Sequence, residues 1–281
     1  IIIANNKKQL QGILTSRDVR FKTDFAVLVK SIMMPRARLV TAPKGISADE
    51  ALKILDKHRI EKLPLLDKRG RVVGLITATD FKKMREHVNA AKEKDGQLLV
   101  AAAVGVKDGL ERGRALVAAG CDVLVIDIAH GHHKLCIDLL KSLKKSFPKT
   151  DVVAGNIATR EAAVDLIKAG ADAIKVGIGP GAACSTRIVA GSGVPQFSAI
   201  REIAKVAHAK NIPIIADGGA KNSGDVAKAI AAGASTVMCG YLFSGSYESP
   251  GEYYIEEGAA FKIYRGMASR DASELRNTKE S

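Results

Sequence analysis

The 281 residues are 47% hydrophobic and only 4% aromatic, with no Trp, and 43 Lys and Arg outnumber 30 Asp and Glu for a net charge of +13. That apolar content is ample for one large domain, or a large and a small one. The basic excess points to anionic partners or simply to a solvated basic surface; the Lys clusters, such as Lys141, Lys144 and Lys145, lack interleaved aromatics, which argues against nucleic acid.

Four cysteines, Cys121, Cys136, Cys184 and Cys239, stand too far apart for a metal-ligand pair of the CxxC kind and suit a reduced compartment. No apolar run approaches the length of a membrane span, and no signal-peptide pattern is present. The expected setting is therefore soluble and cytoplasmic. The chain opens inside the apolar run IIIANN without Met and closes on ELRNTKES, so it reads as an internal segment of a longer protein.

From the N-terminus, an internal repeat comes first. GILTSRD begins at Gly12 and GLITATD at Gly74, and both follow a polar turn. Each reads as a strand ending in Thr and a helix capped at the Thr or Asp. Between them lies a helical pattern at Ala51, Ile54 and Leu55, then a short strand over 63–66. Two copies of a β-α-β-β-α unit fit, the first cut at its N-terminus. The repeat resembles the tandem CBS (Bateman) module, whose T-x-x-D motif would place Thr15, Asp18, Thr77 and Asp80 at sites for an adenine or guanine nucleotide, ATP or GTP. The alternative is that each Thr and Asp only caps a helix. This module is expected over 1–85, its second repeat over about 30–85, with a charged linker over 86–97.

From 98 onward, short apolar runs alternate with helical patterns: 98–105, 122–131, 151–157, 172–179, 212–219 and 235–242 read as strands. Helical patterns such as 109–120, 159–170 and 223–233 end in Gly120, Gly170 and Gly233, the residue type that caps helix C-termini. Strands apolar on both faces and joined by helices predict a parallel sheet. A doubly wound sheet and a barrel both serve; the loops rich in Gly, Asp and Asn at nearly every strand end favour a (β/α)8 TIM barrel with about six of its eight βα units present over 98–281.

Asp217, Gly218, Gly219 and Gly240 close the last two strands. Glycines there let backbone amides approach a phosphate, and Asp suits the paired hydroxyls of a ribose, so a nucleoside monophosphate site is expected. The loop VGIGPGAACSTR alternates Gly177, Gly179 and Gly181 around Pro180 and then presents Cys184 among small polar neighbours. A thiol there, near a helix start and Arg187, reads as a nucleophile. The other three cysteines, flanked by apolar residues, are expected to be buried.

These segments, together with VIDIAHGH, AGNIAT, IADGGAKNSGDVAKAIAAGAS, VMCG and YRGM, resemble the IMP dehydrogenase/GMP reductase family over essentially the whole chain. That resemblance implies a CBS pair inserted in a TIM barrel. Cys184 would form a covalent bond to C2 of the purine, with Thr186 beside it. Asn156, Asp217, Gly218, Gly219, Gly240, Tyr264, Arg265, Gly266 and Met267 would hold IMP. Asp127, Gly177, Ile178 and Gly179 would face NAD, and the carbonyls of Gly179, Gly181 and Cys184 would bind K+. A homotetramer is implied. The chain departs from the family pattern within the same IMP site at Ala182, Tyr241 and Ala268, where Ser, Ser or Gly, and Gly are usual.

The resemblance leaves two activities open. The first is an NAD-dependent IMP dehydrogenase that makes XMP. The second is a GMP reductase that uses NADPH and releases ammonia, for which Thr186 and Glu248 would pair. AHGH, RIVAGSGVPQ and the CBS pair favour the dehydrogenase; PQFSA, GSYESPGE and GMAS favour the reductase. A regulator that senses nucleotides through the CBS module is the alternative of another class.

Overall fold

The computed structural model describes residues 1–24, 26–93, 96–266, 269 and 274. They form two compact units, 1–91 and 92–281.

In the first unit the chain runs β1 (Ile2–Ala4), β2 (Leu10–Ile13), α1 (Ser16–Val19), α2 (Val29–Ile32), β3 (Met34–Pro35), β4 (Ala42–Pro43), α3 (Ala48–His58), β5 (Lys62–Leu66), β6 (Val72–Thr77) and α4 (Ala78–Glu86). The sheets are β1-β2-β3 and β4-β5-β6. The run β4-α3-β5-β6-α4 is the β-α-β-β-α unit expected of the second repeat, and β1-β2-α1 reproduces its last three elements. Helix α3 starts at Ser47, whose hydroxyl accepts the Glu50 amide while the Glu50 carboxylate reaches back to Ser47. It buries Ala51 and Leu55 against Ala42 and Leu63, one face of a 3.6-residue period.

The repeated T-x-x-D forms the same box twice. Asp18 Oδ2 accepts the Thr15 amide and hydroxyl at 2.6 and 2.7 Å, and Asp80 Oδ2 accepts those of Thr77 at 2.8 and 2.9 Å. The Thr15 hydrogen bonds hold the Asp18 carboxyl below its usual range. Helix capping, one of the two roles expected of these four residues, is thus directly visible.

The second unit alternates β7 (Ala101–Val104), α5 (Gly109–Ala118), β8 (Val123–Asp127), α6 (Lys134–Ser146), β9 (Asp151–Ile157), α7 (Arg160–Lys168), β10 (Ala173–Val176), α8 (Thr186–Val189), α9 (Gln196–Ala207), β11 (Ile214–Asp217), α10 (Ser223–Ala231), β12 (Thr236–Met238) and α11 (Tyr241–Ser244). A hairpin, β13 (Tyr254–Glu256) and β14 (Ala259–Phe261), follows. The six strands β7 to β12 are all parallel and lie in sequence order. A doubly wound sheet reverses its order partway, so sequential order over six strands excludes it; the curled sheet is consistent with part of a barrel. Gly120, Gly170 and Gly233 end their helices at φ of 93°, 101° and 112°, as expected.

The strands have two different faces. Leu124, Ile126, Val152, Ala154, Ile174, Val176, Ile214 and Ala216 pack into the main core with helix residues such as Leu140, Leu143, Leu166, Ile200 and Ile203. Residues at alternate positions, Val125, Val153, Lys175, Asp127 and Asp217 among them, occupy the opposite face, because side chains alternate along a strand.

The first strand is shorter than expected: Leu98, Leu99 and Val100 are 63, 45 and 52% exposed, and pairing begins at Ala101. Helix α9 falls where the sequence reading singles out no helix, although Ala199, Ile200, Ile203 and Ala207 keep helical spacing and are buried. Among the described residues no helix is long and apolar enough to cross a membrane.

Candidate active site

Registered pairing places Asp127 of β8 beside Gly155 of β9, and Gly155 beside Lys175 of β10. Lys175 is the one buried polar or charged residue among those described, at 1% exposure. A buried ammonium must be paired. Its Nζ bonds Asp127 Oδ1 at 3.1 Å on one side and Asp217 Oδ2 on the other. The same Asp217 oxygen accepts Asn156 Nδ2 at 2.8 Å, and that amide also reaches Gly177 O at 2.8 Å. Gln196, at the start of α9, donates Nε2 to Val176 O at 2.8 Å and to Asp217 O at 3.2 Å. Asp217 is therefore held by three side chains from three other elements. Among the described residues, Asn156 Oδ1 and Gln196 Oε1 are buried without a hydrogen-bond partner and remain acceptors next to it.

The loop after β10 is shaped by close approaches that only glycine allows. A Cβ at Gly177 would lie 2.0 Å from Asp217 O, and φ there is 149°. At Gly179, with φ of 75°, it would meet the Arg187 side chain at 2.8 Å. Arg187 donates Nε to Ile178 O at 3.2 Å and Nη2 to Val194 O at 2.5 Å. Its guanidinium thus braces the loop through two carbonyls rather than serving chiefly as a cation for the thiol. The Cys184 amide donates to Gly181 O at 3.0 Å, closing the turn. Cys184 itself is exposed, and its Sγ donates to Thr186 Oγ1 at 3.2 Å.

Beside this loop lies a cavity of about 200 Å³. Its walls hold eight of the expected residues: Gly181, Ala182, Asp217, Gly218, Gly219, Gly240, Tyr241 and Tyr264. Gly218 and Gly219 have φ of 84° and 87° and pass against Pro180, which joins the loops after β10 and β11. Tyr264 sits with its hydroxyl 2.8 Å from where a Gly240 Cβ would be, and its ring meets Tyr241 edge-on with centroids 5.8 Å apart. Gly266 packs against Ala183. Arg265 is exposed. Met267 and Ala268 lie outside the described residues. Thr186 is bonded to Cys184, and no hydrogen bond joins it to Glu248 among the described residues.

The cysteines differ from expectation in part. Cys136 is fully buried, and burial pushes its thiol up to about 11. Cys121 and Cys239 are only half-buried: Cys121 follows the Gly120 turn, and Cys239 follows the short β12 and lines the cavity. Thiolates, not thiols, react with alkylating agents. In native protein at pH 8, mass-spectrometric mapping after limited iodoacetamide treatment is expected to find Cys184 labelled first and Cys136 unlabelled until denaturant is added.

Sequence reasoning did not assign Lys175, Gln196 or Lys221 to the site, and it placed Cys239 in the core rather than on the cavity wall. A lysine in the apolar run DAIKV was the available signal, since charges rarely enter such strands unless paired.

Residues 45–281 match the family model described as the IMP dehydrogenase / GMP reductase domain. The chain is 51% identical over 277 residues to inosine-5'-monophosphate dehydrogenase of Aquifex aeolicus (strain VF5), covering 98% of this chain and 56% of that protein. It is 54% identical over 275 residues to that of Staphylococcus aureus (strain Mu50 / ATCC 700699), covering 97% and 56%. It thus spans little more than half the length of these curated relatives. Among solved structures, GMP reductase from Trypanosoma brucei in complex with guanosine 5'-monophosphate superposes with a TM-score of 0.89 at 43% identity, over 100% of this chain and 59% of that one. The sequence match and the shared architecture agree: the chain belongs to the IMP dehydrogenase/GMP reductase family.

Proposed function

We propose that this chain carries the substrate-binding and nucleophilic part of an NAD-dependent IMP dehydrogenase with a (β/α)8 TIM-barrel catalytic domain, acting in guanine nucleotide synthesis. The observation that carries the reading is the exposed Cys184, bonded to Thr186, on a glycine loop whose Gly181 and Ala182 also wall a cavity lined by Asp217, Gly218, Gly219 and Gly240. The glycine amides offer donors to a phosphate, and Asp217 accepts from ribose hydroxyls. A monophosphate held in this way would direct its base toward Cys184, which lies three residues beyond Gly181 on the cavity wall. Cys184 Sγ would lose its proton and add to C2 of the purine, the C2 hydride would leave to a bound nicotinamide, and water would then displace the thiol from the resulting thioimidate to release XMP. Thr186, as acceptor of the Cys184 proton in the resting state, keeps the thiol oriented.

The residues fit a nicotinamide dinucleotide. Asp127 is 49% exposed with Oδ2 left over from its bond to Lys175, and Gly177 to Gly179 offer backbone at the same strand ends. When bound, NAD supplies the hydride acceptor. Gly181 O retains a second lone pair beside its bond to the Cys184 amide, so Gly179, Gly181 and Cys184 also suit a monovalent cation such as K+. Residues 1–85 are read as the CBS pair, with ATP or GTP as its ligand, and the assembly as a cytoplasmic homotetramer.

GMP reductase is the second reading, favoured by the TM-score of 0.89 to the Trypanosoma brucei enzyme. Identity of 51 to 54% to the dehydrogenases against 43% to that reductase favours the first. The full-length protein is to be given IMP with NAD+, and separately GMP with NADPH, while nicotinamide absorbance is followed. NADH formation is expected in the first mixture only; NADPH consumption in the second alone overturns the dehydrogenase reading.

A further inference from the structure

Lys175 has no assigned part in this scheme, yet it is the most deeply buried charge among the described residues. It stands midway between two carboxylates given separate tasks: Asp217 toward the ribose of the monophosphate, and Asp127 toward the dinucleotide. Asp127 is 49% exposed and Asp217 22%, while Lys175 is 1% exposed, so the cation lies beneath and the acids face outward. The strand between Lys175 and Asp127 carries Gly155 in register with both. A Cβ at Gly155 would fall 2.6 Å from Lys175 Cβ and 2.6 Å from Lys175 O. Only glycine leaves the lysine stem free to cross that strand to Asp127.

We infer that Lys175 is a positioning residue that serves as the shared counter-ion of the two ligand-binding carboxylates and couples the monophosphate and dinucleotide subsites. This rests on the proposed function above. One ammonium between two carboxylates leaves a net charge of −1, so each acid keeps acceptor strength for a hydroxyl while their mutual repulsion is offset. Nζ and Asn156 Nδ2 both occupy Asp217 Oδ2, which leaves Oδ1 for a ligand. On the Asp127 side Nζ takes Oδ1 and leaves Oδ2. Each carboxylate is thereby presented with one committed and one available oxygen. A lone-pair assignment of this kind orients hydroxyl donors without touching the reacting thiol.

Full-length Lys175→Met and Lys175→Arg are to be compared with wild type in steady-state assays with IMP and NAD+, beside their melting temperatures. Losing a charge-assisted bond at each subsite is expected to raise KM for IMP and KM for NAD+ each by about tenfold. Expected kcat per folded enzyme stays within about threefold, because Cys184 and Thr186 are not touched. Lys175→Arg, which keeps the charge, is expected to recover most of both KM values. Should Lys175→Met lower only kcat, or the amount of folded protein, with both KM values as in wild type, the residue is structural and the inference fails.

Asp127→Asn covers the case in which Lys175→Met does not fold, since Asp127 is half-exposed. It does not line the 200 Å³ cavity, yet it is expected to raise KM for IMP severalfold by leaving Lys175 wholly to Asp217. An unchanged KM for IMP in Asp127→Asn overturns the coupling. If wild type binds neither ligand calorimetrically, the functional reading fails and this one with it. If wild type binds both and Asp217→Asn weakens IMP while the Lys175 and Asp127 variants do not, only the coupling fails.

Discussion

Cys184→Ala in the full-length protein is expected to lower kcat for NADH formation from IMP by at least about 10³-fold, as loss of a covalent nucleophile does elsewhere. The side chain is exposed and makes one hydrogen bond, to Thr186, so the substitution removes chemistry and almost no packing. The melting temperature should therefore stay within a degree or two. IMP should still bind, because the cavity walls Asp217, Gly218, Gly219 and Gly240 are intact. Calorimetric IMP titration and the NADH rate together check the result. Retained turnover would show that the thiol is not the nucleophile.

Asp217→Ala is expected to damage binding and stability at once. It removes the proposed ribose acceptor, which should weaken IMP by about 10²-fold. It also strips Lys175, 1% exposed, of one of two counter-charges, and orphans the Asn156 amide from one acceptor. Removing one partner of a buried pair costs about 3 kcal/mol or more; Asp127 remains, so the lower end applies. Urea denaturation monitored by circular dichroism measures that loss, and IMP titration the other. Asp217→Asn keeps the shape and a hydrogen-bonding oxygen, so it should lose affinity with a smaller loss of stability.

The contrast between these two variants follows from where each residue sits. Cys184 belongs to a loop that the sequence itself marks out: three glycines, a proline and small polar neighbours around one thiol admit few other readings. Asp217 was legible as a strand-end acid followed by two glycines, but its network was not. Its partners Asn156, Lys175 and Gln196 come from 61, 42 and 21 residues away along the chain. Separation in sequence hides such pairings, because nothing local in DAIKV or in VPQ says which strand end will face which. The same holds for Arg187. Its proximity to Cys184 in sequence suggested a cation for the thiol, while folding turns the guanidinium onto the Ile178 and Val194 carbonyls.

Read alone, the sequence determined what local chemistry determines. Apolar runs on both strand faces specify a parallel sheet, C-terminal glycines end the helices, and T-x-x-D specifies a capping box twice over. It also determined the family, since motifs spread over the whole chain carry that resemblance. Only the tertiary structure decided the strand order that excludes a doubly wound sheet, the half-exposure of Cys121 and Cys239, and the burial of Lys175 between Asp127 and Asp217. The physical reason is common to all three. Each depends on which faces of distant segments meet, and a buried charge is tolerated only where the fold brings its counter-charges to it.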